Sequence, residues 1–231
     1  MKIAVDAGHG YTTSGKRTAD GMREYEFNRA VANEMQQLLG GYENVSVVFT
    51  HSDTRDVPLN ERTNKANAGK ADVFISIHAN AFGNGSTWNS TKGIETYVHD
   101  SKPQESFALA EAVQKELIEK TKRADRGVKL ANFHVLRETK MPAILIECGF
   151  MTNQEEAQAL KSASYRKTCA EAITEALATF YKLKKKQAPP PNSPSGKMYK
   201  VQVGAFTEKQ NATALANELK NKGYSVNVLY E

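Results

Sequence analysis

Three apolar runs in this chain each end on a residue that can bind a metal or carry a proton. Lys2-Ile3-Ala4-Val5 leads into Asp6-Ala7-Gly8-His9-Gly10, the run 73–77 leads into His78, and the run 143–146 leads into Glu147. A catalytic zinc typically takes three His, Asp or Glu ligands and leaves its fourth position to water. His9 and His78 supply two imidazoles. Glu24 is the natural third donor, because the intervening loop, with Gly10, Gly15 and Gly21, can fold back over His9; Glu26 is the competitor, one helix face away. Glu147 suits the remaining task, taking a proton from water and returning it to a leaving amine. Together the set points to a metal-assisted hydrolase. Asn80 and Glu95 flank the site and are candidates for contacting substrate or supporting the ligands. His134, in the stretch Asn132-Phe133-His134-Val135-Leu136, is a further candidate for the pocket wall. His51 and His99 are expected at the surface.

These residues need elements that bring them to one edge. Apolar continuity and turn residues predict strands over 2–7, 45–51, 73–79, 93–99, 133–137 and 143–148. Three- and four-residue spacing of apolar side chains predicts helices over 24–39, 58–68, 104–121, 153–161 and 164–182. Strands alternating with helices give an α/β fold: a twisted, mostly parallel or mixed sheet of about six strands with helices on both faces. Ligands and chemistry collect at the carboxyl edge of such a sheet, where His9, His78 and Glu147 all fall.

The chain has 231 residues, a formal charge of +5 and 40% hydrophobic residues, enough for a real core. Its charge is uneven. From residue 182 onward there are nine Lys, three Glu and no Arg. A basic tail suits an anionic partner such as nucleic acid, acidic lipid or cell-wall polymer, or serves as a solvated linker. Absence of Arg, and the placement of Tyr199 and Phe206 at apolar strand positions, argue against nucleic acid. Two cysteines, Cys148 and Cys169, are too few for a disulfide framework, and Cys148 reads as a buried thiol. No stretch approaches the ~20 apolar residues of a membrane span. Residues 184–197 form a Lys/Pro/Ser-rich linker. Beyond it, 198–231 reads as strand, helix (208–221) and strand, a βαβ-like piece too small for a core of its own.

VDAGHG, Glu24-Tyr25-Glu26-Phe27-Asn28, the stretch 54–62, SIHAN, GIET and ILIECGFMTN occur here in one order. As a set they resemble the zinc-dependent N-acetylmuramoyl-L-alanine amidases of the amidase-3 type, over about residues 1–182. The resemblance implies a zinc amidase domain over 1–183, with His9, Glu24 and His78 as zinc ligands and Glu147 as the catalytic carboxylate. Glu24 is favoured over Glu26 because it precedes Asn28 by four positions. The implied substrate bond joins the lactyl group of N-acetylmuramic acid to L-alanine in peptidoglycan. Such a lytic enzyme serves as a phage endolysin or as an autolysin of sporulation and mother-cell lysis. With no apolar leader at the N-terminus, the expectation is synthesis in the cytoplasm without a signal peptide and action on the wall after release.

The tail, with Tyr199-Lys200-Val201-Gln202-Val203-Gly204-Ala205-Phe206 followed by a helix bearing Ala212, Ala214 and Leu215, resembles one half of a SPOR-type peptidoglycan-binding repeat. It is expected to bind wall or to pair with a second copy as a homodimer, since exposed strand edges invite pairing. Two other functions use the same scaffold. One is a non-catalytic wall-binding protein, which would have no need of Glu147. The other is a zinc peptidase acting on stem peptides.

Overall fold

The computed structural model describes residues 1–12, 15–83, 85, 87–187, 202–224 and 226–229. The chain divides into two compact units, Met1–Gln187 and Ala188–Glu231. In the first, the elements run β1 (Lys2–Ala7), α1 (Glu24–Leu39), β2 (Ser46–Phe49), α2 (Leu59–Ala68), β3 (Val73–Asn80), β4 (Ile94–Val98), α3 (Gln104–Thr121), β5 (Asp125–Leu130), α4 (His134–Arg137), β6 (Ala143–Phe150), α5 (Gln154–Lys161) and α6 (Ala163–Phe180). The second contributes α7 (Lys209–Asn221). The sheet order is β2-β1-β3-β6-β4-β5; every pairing is parallel except that between β4 and β6. This is the mixed six-stranded α/β sheet expected from the sequence.

Alternation along the buried strands sorts their side chains onto two faces. Ile3, Val5, Ala7, Val73, Ile75, Ile77, Ile144, Ile146 and Cys148 join the larger core, with α1, α3 and α6 packed over it. Ala4, Phe74, Ala143 and Leu145 point the other way, into a smaller core closed by Ala66 of α2 and by Val135 and Leu136. Continuing that second parity toward the carboxyl edge gives Asp6, Ser76, His78 and Glu147. The same face that is apolar at one end becomes polar at the other. Register fixes the rows: Asp6 stands beside Ser76, His78 beside Glu147, and Glu147 opposite Glu95.

Several element assignments differ from the sequence reading. Residues 133–137 are not a strand; α4 occupies Val135 and its neighbours. Val135 and Leu136 are adjacent and both enter the smaller core, which a strand, with successive side chains on opposite faces, does not allow. The sixth strand is instead β5, half-exposed at the sheet edge and rich in charge (Asp125, Arg126, Lys129). Charged residues are how natural edge strands avoid pairing with other chains, and they mask the apolar pattern. In the second unit, α7 matches the expected helix, while 202–206 and 226–229 carry no strand; Tyr199, Lys200 and Val201 lie outside the described residues. A strand needs a ladder partner, and Val203, Phe206, Val228 and Leu229 stay exposed. Among the described residues no helix is long and apolar enough to cross a membrane.

Candidate active site

β1 delivers His9 through a tight turn. Gly8 N donates to Ile77 O at 3.0 Å, and Asn28 Nδ2 donates to Gly8 O at 3.0 Å. His9 itself takes the left-handed conformation, φ 65°. A β-carbon on Gly8 would lie 2.1 Å from His78 Cε1, so glycine is required for the imidazole to sit there. Glu24 opens α1 and is buried, where the helix N-terminus favours a negative charge. The loop returns over the site as expected: Lys16 N donates to Glu24 Oε2 at 3.0 Å, and a β-carbon on Gly15 would meet Glu24 and His9 at 2.6 Å. Glu26 turns outward and caps α1, accepting from Arg23 N at 3.1 Å.

His9 Nε2 lies 3.2 Å from Glu24 Oε2, and His78 Nδ1 lies 2.8 Å from Glu24 Oε1. One donor atom from each of the three side chains falls within 4.8 Å of the others. Burial works against the Glu24 charge, but the hydrogen bonds with His78 and His9 outweigh it and hold its carboxyl below the usual range. Two imidazoles and an ionised carboxylate at this spacing fit a divalent cation of the zinc type.

Glu147 sits in the same row, one strand over from His78. Its Oε2 is sealed from solvent without a hydrogen-bond partner. Burial, then the charges of Glu24 and Glu95, push its carboxyl well above the ordinary carboxylate value. Glu95 is the most heavily bonded group at the site. It accepts from Asn80 Nδ2 at 2.6 Å, Tyr97 Oη at 2.7 Å and Arg126 Nε at 2.8 Å, and pairs with Lys129. Burial opposes its charge, yet Lys129, Arg126 and Tyr97 keep its carboxyl below the usual range. Two neighbouring carboxylates thus have opposite tendencies, one held ionised and one ready to bind a proton.

Among the described residues, the other histidines do not join the three-donor group. His134 opens α4, with Nε2 buried and unpartnered. His51 is buried rather than superficial: its Nδ1 accepts from Ala7 N at 3.1 Å, and its ring packs on Phe49. His99 is half-buried, bonded to Ser101 Oγ at 2.8 Å. Cys148 is buried, and its hydrogen bond with Cys169 followed by burial raises its thiol far above the reactive range. The sequence reading did not single out Asp6, which lies beneath His9. Asp6, 1% exposed, accepts from Thr50 Oγ1 (2.6 Å), Ser76 Oγ (2.8 Å) and Arg62 Nη1 (2.9 Å). Arg62 also donates to the carbonyls of Val57, Ala7 and His9. The available signal was an acid inside an apolar strand, which demands a buried partner.

The fold and site define an α/β protein with a two-histidine, one-carboxylate centre and a free carboxylate beside it. The sequence profile described as N-acetylmuramoyl-L-alanine amidase matches residues 3–179, and that of the SPOR domain matches residues 172–230. The N-acetylmuramoyl-L-alanine amidase CwlM of Bacillus licheniformis is 37% identical over 231 residues, covering 100% of this chain and 85% of the relative. A sporulation-specific N-acetylmuramoyl-L-alanine amidase of Bacillus subtilis (strain 168) is also 37% identical, over 99% of this chain and 84% of its own. The crystal structure of an N-acetylmuramoyl-L-alanine amidase from Clostridium difficile 630 superposes with TM-score 0.74 at 35% identity, covering 78% of this chain and 96% of that one. The chain belongs to the N-acetylmuramoyl-L-alanine amidase family.

Proposed function

We propose that this chain hydrolyses the amide joining N-acetylmuramic acid to L-alanine in peptidoglycan, with zinc held by His9, Glu24 and His78. The observation that carries this reading is the convergence of those three donors beside Glu147, whose Oε2 has no hydrogen-bond partner among the described residues. When bound, zinc supplies Lewis acidity to a water molecule and to the scissile carbonyl. Glu147 takes the proton of the attacking water and returns it to the amide nitrogen as the C–N bond breaks. Its raised proton affinity suits both halves of that task. Glu95, locked by Arg126 and Lys129, keeps a fixed charge that sustains the affinity. Asn80, bonded to Glu95, stands at the end of the strand that bears His78, where it can orient substrate. The SPOR match supports attachment to the wall through the second unit. Similarity that runs through the tail to a sporulation-specific relative favours mother-cell lysis over a phage setting. A homodimer joined through the second unit would complete a paired repeat; a full chain that scatters light as a monomer at high concentration removes that part of the reading.

The test is a digest of purified peptidoglycan, with new amines and new reducing ends labelled separately. New N-terminal L-alanine without new reducing ends, lost with a chelator and in Glu147→Ala, is the expected result. New amines on other residues would make the protein a stem-peptide peptidase. Sedimentation with the wall and no release would leave a binding protein.

A further inference from the structure

The loop after β3 carries the chain's one tryptophan, next to a hydrogen-bonded stretch. Trp88 is 39% exposed. Beside it, Asn89 N donates to Thr152 O at 2.8 Å, Thr91 N donates to Asn89 Oδ1 at 2.9 Å, and Asn153 Nδ2 donates to Asn89 O at 3.4 Å. Between this loop and the start of α5 runs an open groove of about 620 Å³, lined by Trp88, Asn89, Ser90, Asn153, Gln154 and Gln158. The single charged residue among its lining, Glu155, is paired with Arg123 at 2.7 Å. Nothing in the groove selects an anion or a cation.

An aromatic face flanked by carboxamides suits one class of ligand. Pyranose rings present apolar C–H faces, while their hydroxyl and acetamido groups both donate and accept. Asn and Gln amides do the same from one side chain, and tryptophan offers a broad apolar surface with a polar tip. The position fits as well. β3 and β6, which carry His78 and Glu147, run on to pair Asn80 with Phe150. Met151 N then donates to Asn80 O at 2.7 Å, and both the loop and α5 follow directly. The groove therefore opens at the exit of the two catalytic strands.

We infer that this groove is a glycan subsite, taking an N-acetylated sugar of the same strand whose peptide is cut, with Trp88 stacked on the ring and Gln154 and Gln158 bonding its polar groups. The choice of sugar rests on the amidase reading; binding in the groove does not require catalysis.

Because Trp88 is the chain's one tryptophan, its emission in the full chain reports this groove alone and not binding at the second unit. Titration with a β-1,4-linked N-acetylglucosamine hexamer should give a saturable blue shift. The paired substitution Gln154→Ala with Gln158→Ala should weaken that response about five- to tenfold. Trp88→Ala should raise KM for glycan-linked stem peptides by a similar factor, leaving kcat, and KM for a muramyl dipeptide on a single sugar, unchanged. Emission that does not move up to millimolar hexamer, or a titration indifferent to the glutamine changes, overturns the proposal. A shift in emission without any amide cleavage on peptidoglycan would uphold the subsite and overturn the amidase reading.

Discussion

Gly8 has no room for a side chain, because the space where a β-carbon would stand belongs to the His78 ring, 2.1 Å away at Cε1. Gly8→Ala should therefore displace an imidazole without touching a donor atom. Zinc affinity, measured by competition with a chelating dye, is expected to fall about 10- to 100-fold, as when a ligand loses its support, with far-ultraviolet circular dichroism unchanged. Glu147 gives the opposite separation of activity from stability. Glu147→Gln should lower kcat by about 10²–10⁴-fold without lowering the thermal midpoint. A carboxyl whose proton affinity is raised by folding favours the unfolded chain once pH passes the ordinary carboxylate value. At neutral pH its ionisation thus opposes folding, and glutamine removes that opposition. The placement of these residues at one sheet edge was legible because His9, His78 and Glu147 each follow an apolar run. His51 was not, since a histidine at the end of a short, half-exposed strand looks superficial until Phe49, Tyr25 and the Ala7 amide are seen around it.

At the scale of elements, α2 is fastened to β1 by Arg62 on Asp6, both almost wholly buried. Burial alone would raise the Asp6 carboxyl, but Arg62 and the hydroxyls of Thr50 and Ser76, with the field of His78, hold it below its ordinary value of 3.8. Arg62→Met strands that charge. Urea unfolding at pH 7 should show a loss of about 3–5 kcal/mol, the usual cost of removing one partner of a buried pair. The pH dependence follows from the sign of the shift. A depressed carboxyl contributes stability above its unfolded value, and the contribution is lost as pH falls through the folded one. Without Arg62 the acid transition should move to higher pH. Sequence alone located α1, α3 and β1 closely, because their periodicities are long and uninterrupted. It missed β5, where Asp125, Arg126 and Lys129 dilute Val128 and Leu130 on an exposed edge. It read α4 as a strand because four residues are too few to distinguish a period of 3.6 from one of two.

For the molecule as a whole, the proposed function assigns chemistry to the unit Met1–Gln187 and attachment to the unit that follows. Every residue proposed to hold the metal or move a proton lies in Met1–Gln187, and so does the Trp88 groove. The second unit holds five Lys against three Glu and leaves apolar side chains such as Val203 and Leu229 exposed. A chain ending at Gln187 should hydrolyse a soluble muramyl peptide with kcat/KM within about twofold of the full chain, since independent parts contribute additively. It should also sediment less with insoluble wall. Two forces could account for the difference, and salt separates them. Attraction between lysines and wall anions fades as the screening length falls from about 10 Å at 0.1 M to about 3 Å at 1 M. Recognition of uncharged glycan through hydrogen bonds and apolar contact does not. If the full chain keeps its advantage in sedimentation at about 1 M salt, where that screening is strong, the second unit reads sugar. If the advantage vanishes there, its lysines hold the wall by charge, and the Trp88 groove is left as the molecule's own contact with the glycan strand.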